Sequence, residues 1–376
     1  MARHVDAERR SRRQSDRRSG AADARVDKRK RRGYPLWAKL CLAVGVVLTL
    51  LSTGVLGTAY ALTARYDHNI KRQNLLGTKD GAAPEQVAEA KGPMNILVIG
   101  SDSRATEIAN SGDRSSTTAT VAGQRSDTIM LFHLSPGLDK GYAISIPRDT
   151  YVHIPPAKDW DGGKNKINAA YAFGGAPLLV KVVQQFTGLT VNHVVVVDFA
   201  AVRKITDAVS GVDVTVEKTT KDPRSKRTFT AGVNHLDGAA AEDYVRQRYG
   251  LPDGDFDRVK RQQQFIHALM SKVVESGALK DPAQLDKLLL AVTSALTVDS
   301  TFPVKALAFT LKARGFGPSS VQYITVPIAD GRIIPGPGWV AIPDEEKTHE
   351  LFASVKNETT DQYLLANPPN DATRGA

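Results

Sequence analysis

Five places in this chain set arginine among aspartates or in close pairs at the ends of apolar runs. They are Ser101-Asp102-Ser103-Arg104, Arg125-Ser126-Asp127, Pro147-Arg148-Asp149, Arg246-Gln247-Arg248, and Asp253, Asp255 and Asp257 followed by Arg258. Two carboxylates with several guanidinium groups suit a magnesium-bridged pyrophosphate. Hard carboxylate oxygens hold Mg²⁺, and planar guanidinium forks neutralise phosphate oxygens. Arg125 and Asp127 are two residues apart, so in a strand they point to the same side. Arg246 and Arg248 share that spacing, which in a helix would set them about 200° apart. Both reach one anion only if the helix ends there, and Gly250 and Pro252 just beyond allow such an end. Arg258, Arg261, Gln262 and Phe265 form one stripe of a long helix, near an N-terminus whose dipole also favours anions. A single Arg/Asp neighbour pair is more often a surface ion pair worth little. Asp255 and Asp257 also suit helix N-cap and first-turn positions. Five such groups at element ends together favour a shared anion site. The Gly-x-Ser-x-Gly elbow, the Ser-x-x-Lys pair and the Walker A loop are absent, and the eight histidines lack metal-ligand spacing.

The elements that must position these residues begin at Met94. Residues 95–99 are an apolar run ending at Gly100, the pattern of a strand buried on both faces. Residues 104–124 read as a loop, and 128–132, 141–146, 194–197, 212–216 and 321–326 as further strands. Helical spacing covers 168–185, broken near Gly174, Gly175 and Pro177, then 199–209, 239–247, 256–275, 282–296 and 303–313. Strands and helices mixed in this way predict one α/β domain with helices on both faces of a central sheet. The first three arginine/aspartate groups stand at strand ends, where an open α/β sheet binds ligands. Asn168 and Tyr171 fit a helix start with core packing. Residues 65–76 suit a short helix within a stalk spanning 64–92, and the polar stretch 358–376 reads as a tail without structure.

Charge and hydropathy point to a membrane. The 376 residues carry 50 Lys+Arg and 40 Asp+Glu, a net +10. The first 32 residues hold 13 of the basic and 5 of the acidic groups, so the rest is nearly neutral and no folded domain is coated for nucleic acid. From Leu40 to Leu62 there is no charge, about 34 Å of helix, enough to cross a hydrocarbon core. The domain reading is a basic cytoplasmic tail (1–35), a transmembrane helix (36–63) acting as an uncleaved signal-anchor, the stalk, and an extracytoplasmic domain (93–357). The basic run 28–32 keeps the N-terminus inside. A single cysteine, Cys41, precludes a disulfide framework.

Six strings carry a specific resemblance: NILVIGSDSR (95–104), RSDTIMLFHLS (125–135), SIPRDTYV (145–152), KINAAYAFGG (166–175), HLDGAAAEDYVRQR (235–248) and DGDFDRVKRQQ (253–263). In content and order they resemble the LytR-CpsA-Psr family over about residues 93–330. The resemblance implies an α/β/α sandwich around a mixed, largely antiparallel sheet. It implies a Mg²⁺-dependent (or Mn²⁺-dependent) phosphotransferase of the cell membrane that joins polyprenyl-pyrophosphate-linked glycopolymer to peptidoglycan. The polymer would be of teichoic acid, capsule or arabinogalactan type. Carried over residue by residue, the metal carboxylates fall on Asp102 and Asp127, and the pyrophosphate-binding groups on Arg125, Arg148, Arg246, Arg248, Arg258 and Gln262. Arg104, Asp149 and Asp255 match motif positions, with Asp255 or Asp149 the expected base and Arg148 the central catalytic cation. The polyprenyl tail needs an apolar tunnel, for which Val180, Val183, Phe186, Val202 and Ile205 lie on apolar helix faces; ordinary core packing explains the same faces. Loop 105–124 is longer than in compact members and no further C-terminal domain follows. Two other readings share these features: a membrane-anchored regulator or scaffold, and a polyprenyl-pyrophosphate phosphatase in which water replaces the sugar.

Overall fold

The computed structural model describes residues 69–77, 93–101, 126–157, 160–277 and 281–368, all within one compact unit spanning 62–376. In chain order the strands are β1 (Lys71–Gln73), β2 (Met94–Ser101), β3 (Ser126–Leu134), β4 (Gly141–Ser145), β5 (Tyr151–Ile154), β6 (Gly163–Lys166), β7 (His193–Asp198) and β8 (Val212–Val216). They continue with β9 (Thr220–Lys221), β10 (Thr228–Phe229), β11 (Gly232–Leu236), β12 (Leu296–Asp299), β13 (Val321–Thr325), β14 (Ile328–Ile334) and β15 (Gly338–Pro343). The helices are α1 (Ile167–Thr187), α2 (Phe199–Ala208), α3 (Gly238–Arg246), α4 (Asp255–Glu275), α5 (Pro282–Ala295), α6 (Val304–Ala313), α7 (Glu345–Lys356) and α8 (Thr360–Ala366).

Seven strands make the central sheet in the order β1-β12-β7-β2-β3-β4-β13. Alternation along β2 sends Leu97 and Ile99 to one face and Met94 and Ile96 to the other. The first face is covered by α1, α7 and α8, through Leu179, Val183, Leu351 and Leu364. The second face meets Leu307 of α6 and, through Met130, Ala143 and Tyr323, Ile266 and Met270 of α4. A separate core lies where the β8–β11 hairpin meets α2, α3, α4 and α5 around Tyr244, Phe265 and Leu288. This is the expected layering of helix, mixed sheet and helix. The expectation of a largely antiparallel sheet is corrected, because β2–β3, β3–β4 and β7–β12 run antiparallel while β1–β12, β2–β7 and β4–β13 run parallel.

The predicted break in α1 is present. Gly174 and Gly175 leave helical geometry, Gly175 at φ +64°, where a Cβ would be strained, and Pro177 follows at once. Three local expectations are corrected. The described part of 65–76 contains β1, which pairs with β12 while Arg72 donates to the Phe302 carbonyl at 3.1 Å. The helix expected to reach residue 296 stops at Ala295, and Leu296 opens β12, held by pairing with β7. The tail expected from 358 starts with α8, because Leu364 is buried and the Tyr142 hydroxyl donates to Asp361 at 2.7 Å. The proposed membrane helix at 36–63 lies outside the described residues; among those described, no helix is long and apolar enough to cross a membrane.

Candidate functional site

Four elements converge on one part-buried cluster of charges. Asp127 is the second residue of β3, and Arg148 and Asp149 follow β4. Lys166 closes β6, and Asp255 and Arg258 occupy the first turn of α4. Arg148 Nη1 donates to Asp127 Oδ1 at 2.5 Å, and its Nε lies 3.3 Å from Asp255 Oδ1 and 3.6 Å from Asp149 Oδ2. Arg258 Nη2 lies 2.9 Å from Asp255 Oδ1 and donates to the Asp127 carbonyl at 2.8 Å. Arg258 Nη1 is 3.9 Å from Asp127 Oδ1, which closes a ring of two arginines and two aspartates. Lys166 Nζ holds the other oxygen of Asp149 at 3.0 Å.

The ring is crowded with charge but short of hydrogen bonds. Neither oxygen of Asp255, nor the Nε of Arg148 or of Arg258, has a well-directed hydrogen bond among the described residues. Buried polar atoms left in this state cost stability unless something else binds them. Burial pushes the Asp255 carboxyl above the ordinary carboxylate range, although Arg258 and Arg148 oppose the shift. Burial likewise pushes the Arg258 guanidinium down, against the pull of Asp255. At Arg148 burial also works against the charge, but Asp255, Asp127 and Asp149 outweigh it and hold the guanidinium up.

The remaining expected residues divide. The helix carrying Arg246 does end there, with Gln247 as its C-cap, so Arg246 and Arg248 are not bound to opposite faces. Arg246 pairs with Glu242 at 2.6 Å and covers the Phe199 ring at 4.3 Å. Arg248 is close enough to pull on Asp255 and to oppose Arg258, and its guanidinium covers Tyr249 at 5.2 Å. Gln262 is buried and donates to the Val245 carbonyl at 3.3 Å. Asp257 keeps the first-turn role, accepting from the Asp253 N–H at 2.8 Å. Asp102, Arg104, Arg125 and the loop 105–124 lie outside the described residues.

Sequence reasoning missed Lys166, whose partner Asp149 stands 17 residues earlier, and placed Tyr171 in the core only. Burial raises the Tyr171 hydroxyl's pKa, partly offset by Ser101, the residue before Asp102. Arg261 turns from the stripe to a structural role, between the Tyr244 and Phe229 rings at 4.5 and 5.2 Å and donating to Gln247 at 2.5 Å. The five apolar candidates for a lipid tunnel do not share one surface. Val180, Val183 and Phe186 pack on the sheet face covered by α1, whereas Val202 packs with Ile266 in the α2–α5 core, and Ile205 is half-buried on the same helix as Val202.

Mg²⁺ takes hard oxygen ligands. Asp127 offers hard oxygens, and the fully buried Ser126 hydroxyl beside it has no hydrogen-bond partner among the described residues. Among those residues no trio of His, Cys, Asp or Glu is gathered to hold a metal.

A mixed sheet whose strand ends carry this ring of arginines and aspartates defines a class. The chain belongs to the LytR_cpsA_psr family, whose model matches residues 56–357. It is 30% identical to the cell wall biosynthesis protein LcpA of Corynebacterium glutamicum, over 90% of this chain and 68% of that one. It is 36% identical to the polyisoprenyl-teichoic acid–peptidoglycan teichoic acid transferase TagU of Bacillus cereus, over 52% of this chain and 57% of the transferase. The crystal structure of Bacillus subtilis TagV superposes with a TM-score of 0.57 at 26% identity, covering 72% of this chain and 98% of TagV.

Proposed function

We propose that this protein is a membrane-anchored phosphotransferase that joins a polyprenyl-pyrophosphate-linked glycopolymer to peptidoglycan through a phosphodiester. The observation that carries the reading is the part-buried ring of Asp127, Arg148, Asp255 and Arg258, in which both arginine Nε groups lack a hydrogen-bond acceptor. A pyrophosphate supplies acceptors for the two arginine Nε groups, because its oxygens accept from guanidinium forks. Relatives named as teichoic acid–peptidoglycan transferases support the choice of substrates. Residues 36–63 would anchor the chain with its N-terminus inside the cell and the catalytic domain outside.

Arg148, Arg258 and Arg248, with Arg125 and Arg246, would hold the donor's pyrophosphate. Asp127 and Asp102 would hold Mg²⁺, which when bound neutralises charge on the phosphate oxygens. A peptidoglycan sugar hydroxyl attacks the phosphorus that carries the glycopolymer. Its new O–P bond forms as the bond from that phosphorus to the bridging oxygen breaks, and polyprenyl phosphate departs with the electron pair. The arginines stabilise the charge that develops on the leaving phosphate. The hydroxyl proton passes to Asp255, the carboxylate whose surroundings raise its basicity.

Two measurements test this. Full-length protein in detergent is incubated with a polyprenyl-pyrophosphate-linked sugar, Mg²⁺ and peptidoglycan fragments, and products are weighed by mass spectrometry. Linked phosphodiester with released polyprenyl phosphate is the expected result. Polyprenyl phosphate without linked product would mean that water is the acceptor, and the absence of both would end the reading. The second measurement is a pH profile. Because the Asp255 carboxyl is held up, it loses its charge at a higher pH than an ordinary carboxylate, so the acid limb of kcat/KM should lie at higher pH than an ordinary aspartate would set it. Asp255→Asn should remove that limb and cost about 10²- to 10⁴-fold in rate. A variant that keeps both the limb and the rate would take Asp255 out of this role.

A further inference from the structure

We propose that Trp339 is a stacking platform for a pyranose ring of the acceptor glycan, an inference that rests on the transfer reading above. β14 and β15 form a hairpin in which Gly331 pairs with Ala341 and Ile333 with Trp339. The hairpin is fastened beside the charged ring. The Ala341 N–H donates to the Asp149 carbonyl at 2.9 Å, and Ala341 makes a parallel bridge with Thr150. Trp339 stands two residues before Ala341 in β15, and the Asp149 that Ala341 holds lies 3.6 Å from Arg148 through its side chain.

Its side chain is not used as core. Trp339 is 40% exposed, and Ile333 opposite it is 80% exposed, although Val340 and Ala341 are fully buried. Nor is the indole loose. A Cβ built on Gly331 would meet its Cζ2 at 2.7 Å, Cε2 at 3.1 Å and Nε1 at 3.3 Å. The ring is thus seated against the bare Gly331 backbone, with part of its surface open to solvent. A large, rigid aromatic side chain with one face fixed loses little freedom on binding, and its π-face suits the C–H face of a sugar. An exposed Trp and Ile would also suit contact with a bilayer surface. The fastening of this strand to Asp149 and the glycine seat favour the sugar, since neither is needed to wet a membrane.

The test uses full-length protein in detergent and isothermal titration with N-acetylglucosamine tetrasaccharide, a mimic of the glycan strand. Trp339→Ala is expected to weaken saccharide binding about tenfold, and Trp339→Phe to stay within about threefold of wild type. Gly331→Ala keeps the indole but unseats it, and should weaken binding as well, with thermal unfolding run alongside to show that each variant folds. Affinity for the polyprenyl-pyrophosphate-linked donor should not move in any of them. Saccharide binding by Trp339→Ala at the wild-type level would overturn the proposal, as would weakening confined to the donor. So would a loss of binding to phosphatidylglycerol vesicles with saccharide binding intact, the signature of a membrane contact. Binding is read without turnover. A wild-type protein that binds the saccharide through Trp339 yet forms no phosphodiester would sink the transfer reading and keep the platform.

Discussion

Replacing Arg148 with alanine is expected to cut phosphodiester formation by about 10³-fold or more. The guanidinium faces three carboxylates at once, those of Asp127, Asp255 and Asp149. Without it they would be left with Arg258 and Lys166, and their mutual repulsion would push the Asp255 carboxyl higher still. The donor phosphate would lose a planar fork for which no neighbour substitutes. Arg148→Lys restores a positive charge as a point rather than a fork, and should remain about 10²-fold below wild type. Removing a buried cation from among carboxylates also costs stability, about 2–4 kcal/mol, so unfolding should be followed beside activity. A folded alanine variant that transferred polymer at more than a tenth of the wild-type rate would show that the ring is not the reaction centre.

Asp299→Ala is expected to destabilise the domain by about 3–5 kcal/mol while leaving every charge of the ring in place. Asp299 is 1% exposed at the end of β12 and gathers four donors. Oδ2 accepts from the Val194 N–H at 2.9 Å and stands 3.1 Å from His193 Nδ1; Oδ1 accepts from the Thr301 N–H at 2.9 Å and its hydroxyl at 2.6 Å. Burial alone would raise its carboxyl, but the hydrogen bonds from His193, Thr301 and Val194 outweigh it and hold the carboxyl below the ordinary range. A depressed carboxylate contributes stability that is present above its unfolded value, near 3.9, and lost as pH falls through the folded value. Asp255 has the opposite sign: its raised carboxyl favours the fold below the unfolded value, and that contribution is lost as pH rises. Urea titrations of wild type and Asp299→Ala between pH 3 and 7 separate the two. A difference below about 1 kcal/mol at pH 7 would show that the four donors find other partners.

Much of this fold could be read from residue patterns. The apolar runs of β2 and β7 signal buried strands, because continuous apolarity over five or six residues is what a strand covered on both faces requires. Leu296–Asp299 could not be separated from the helix before it: four residues carry no period, and only its pairing with β7 and β1 makes it a strand. Asp127, Arg148, Asp255 and Arg258 were legible because each marks the end of an element. Lys166 was not, since nothing local ties it to Asp149. The apolar stripe of α1 suits a lipid surface or ordinary core equally, because a stripe records only that a face is covered; here Val180 and Val183 join the core over the sheet and Phe186 meets Phe352 of α7. Trp339 could not be singled out from sequence, because its significance depends on a hairpin bridged to Thr150.

The seating of β1 on β12 bears on how the chain assembles. β2, β3 and β4 pair as neighbours close in the chain and can close early, since loop-closure cost grows only slowly with length. Arg72 must wait for the carbonyl of Asp299, 227 residues further along. Until β12 emerges, β7 therefore presents one open edge of unpaired peptide groups, the kind of edge on which other chains aggregate. Losing residues beyond about 295 would therefore leave a half-built template rather than a smaller domain.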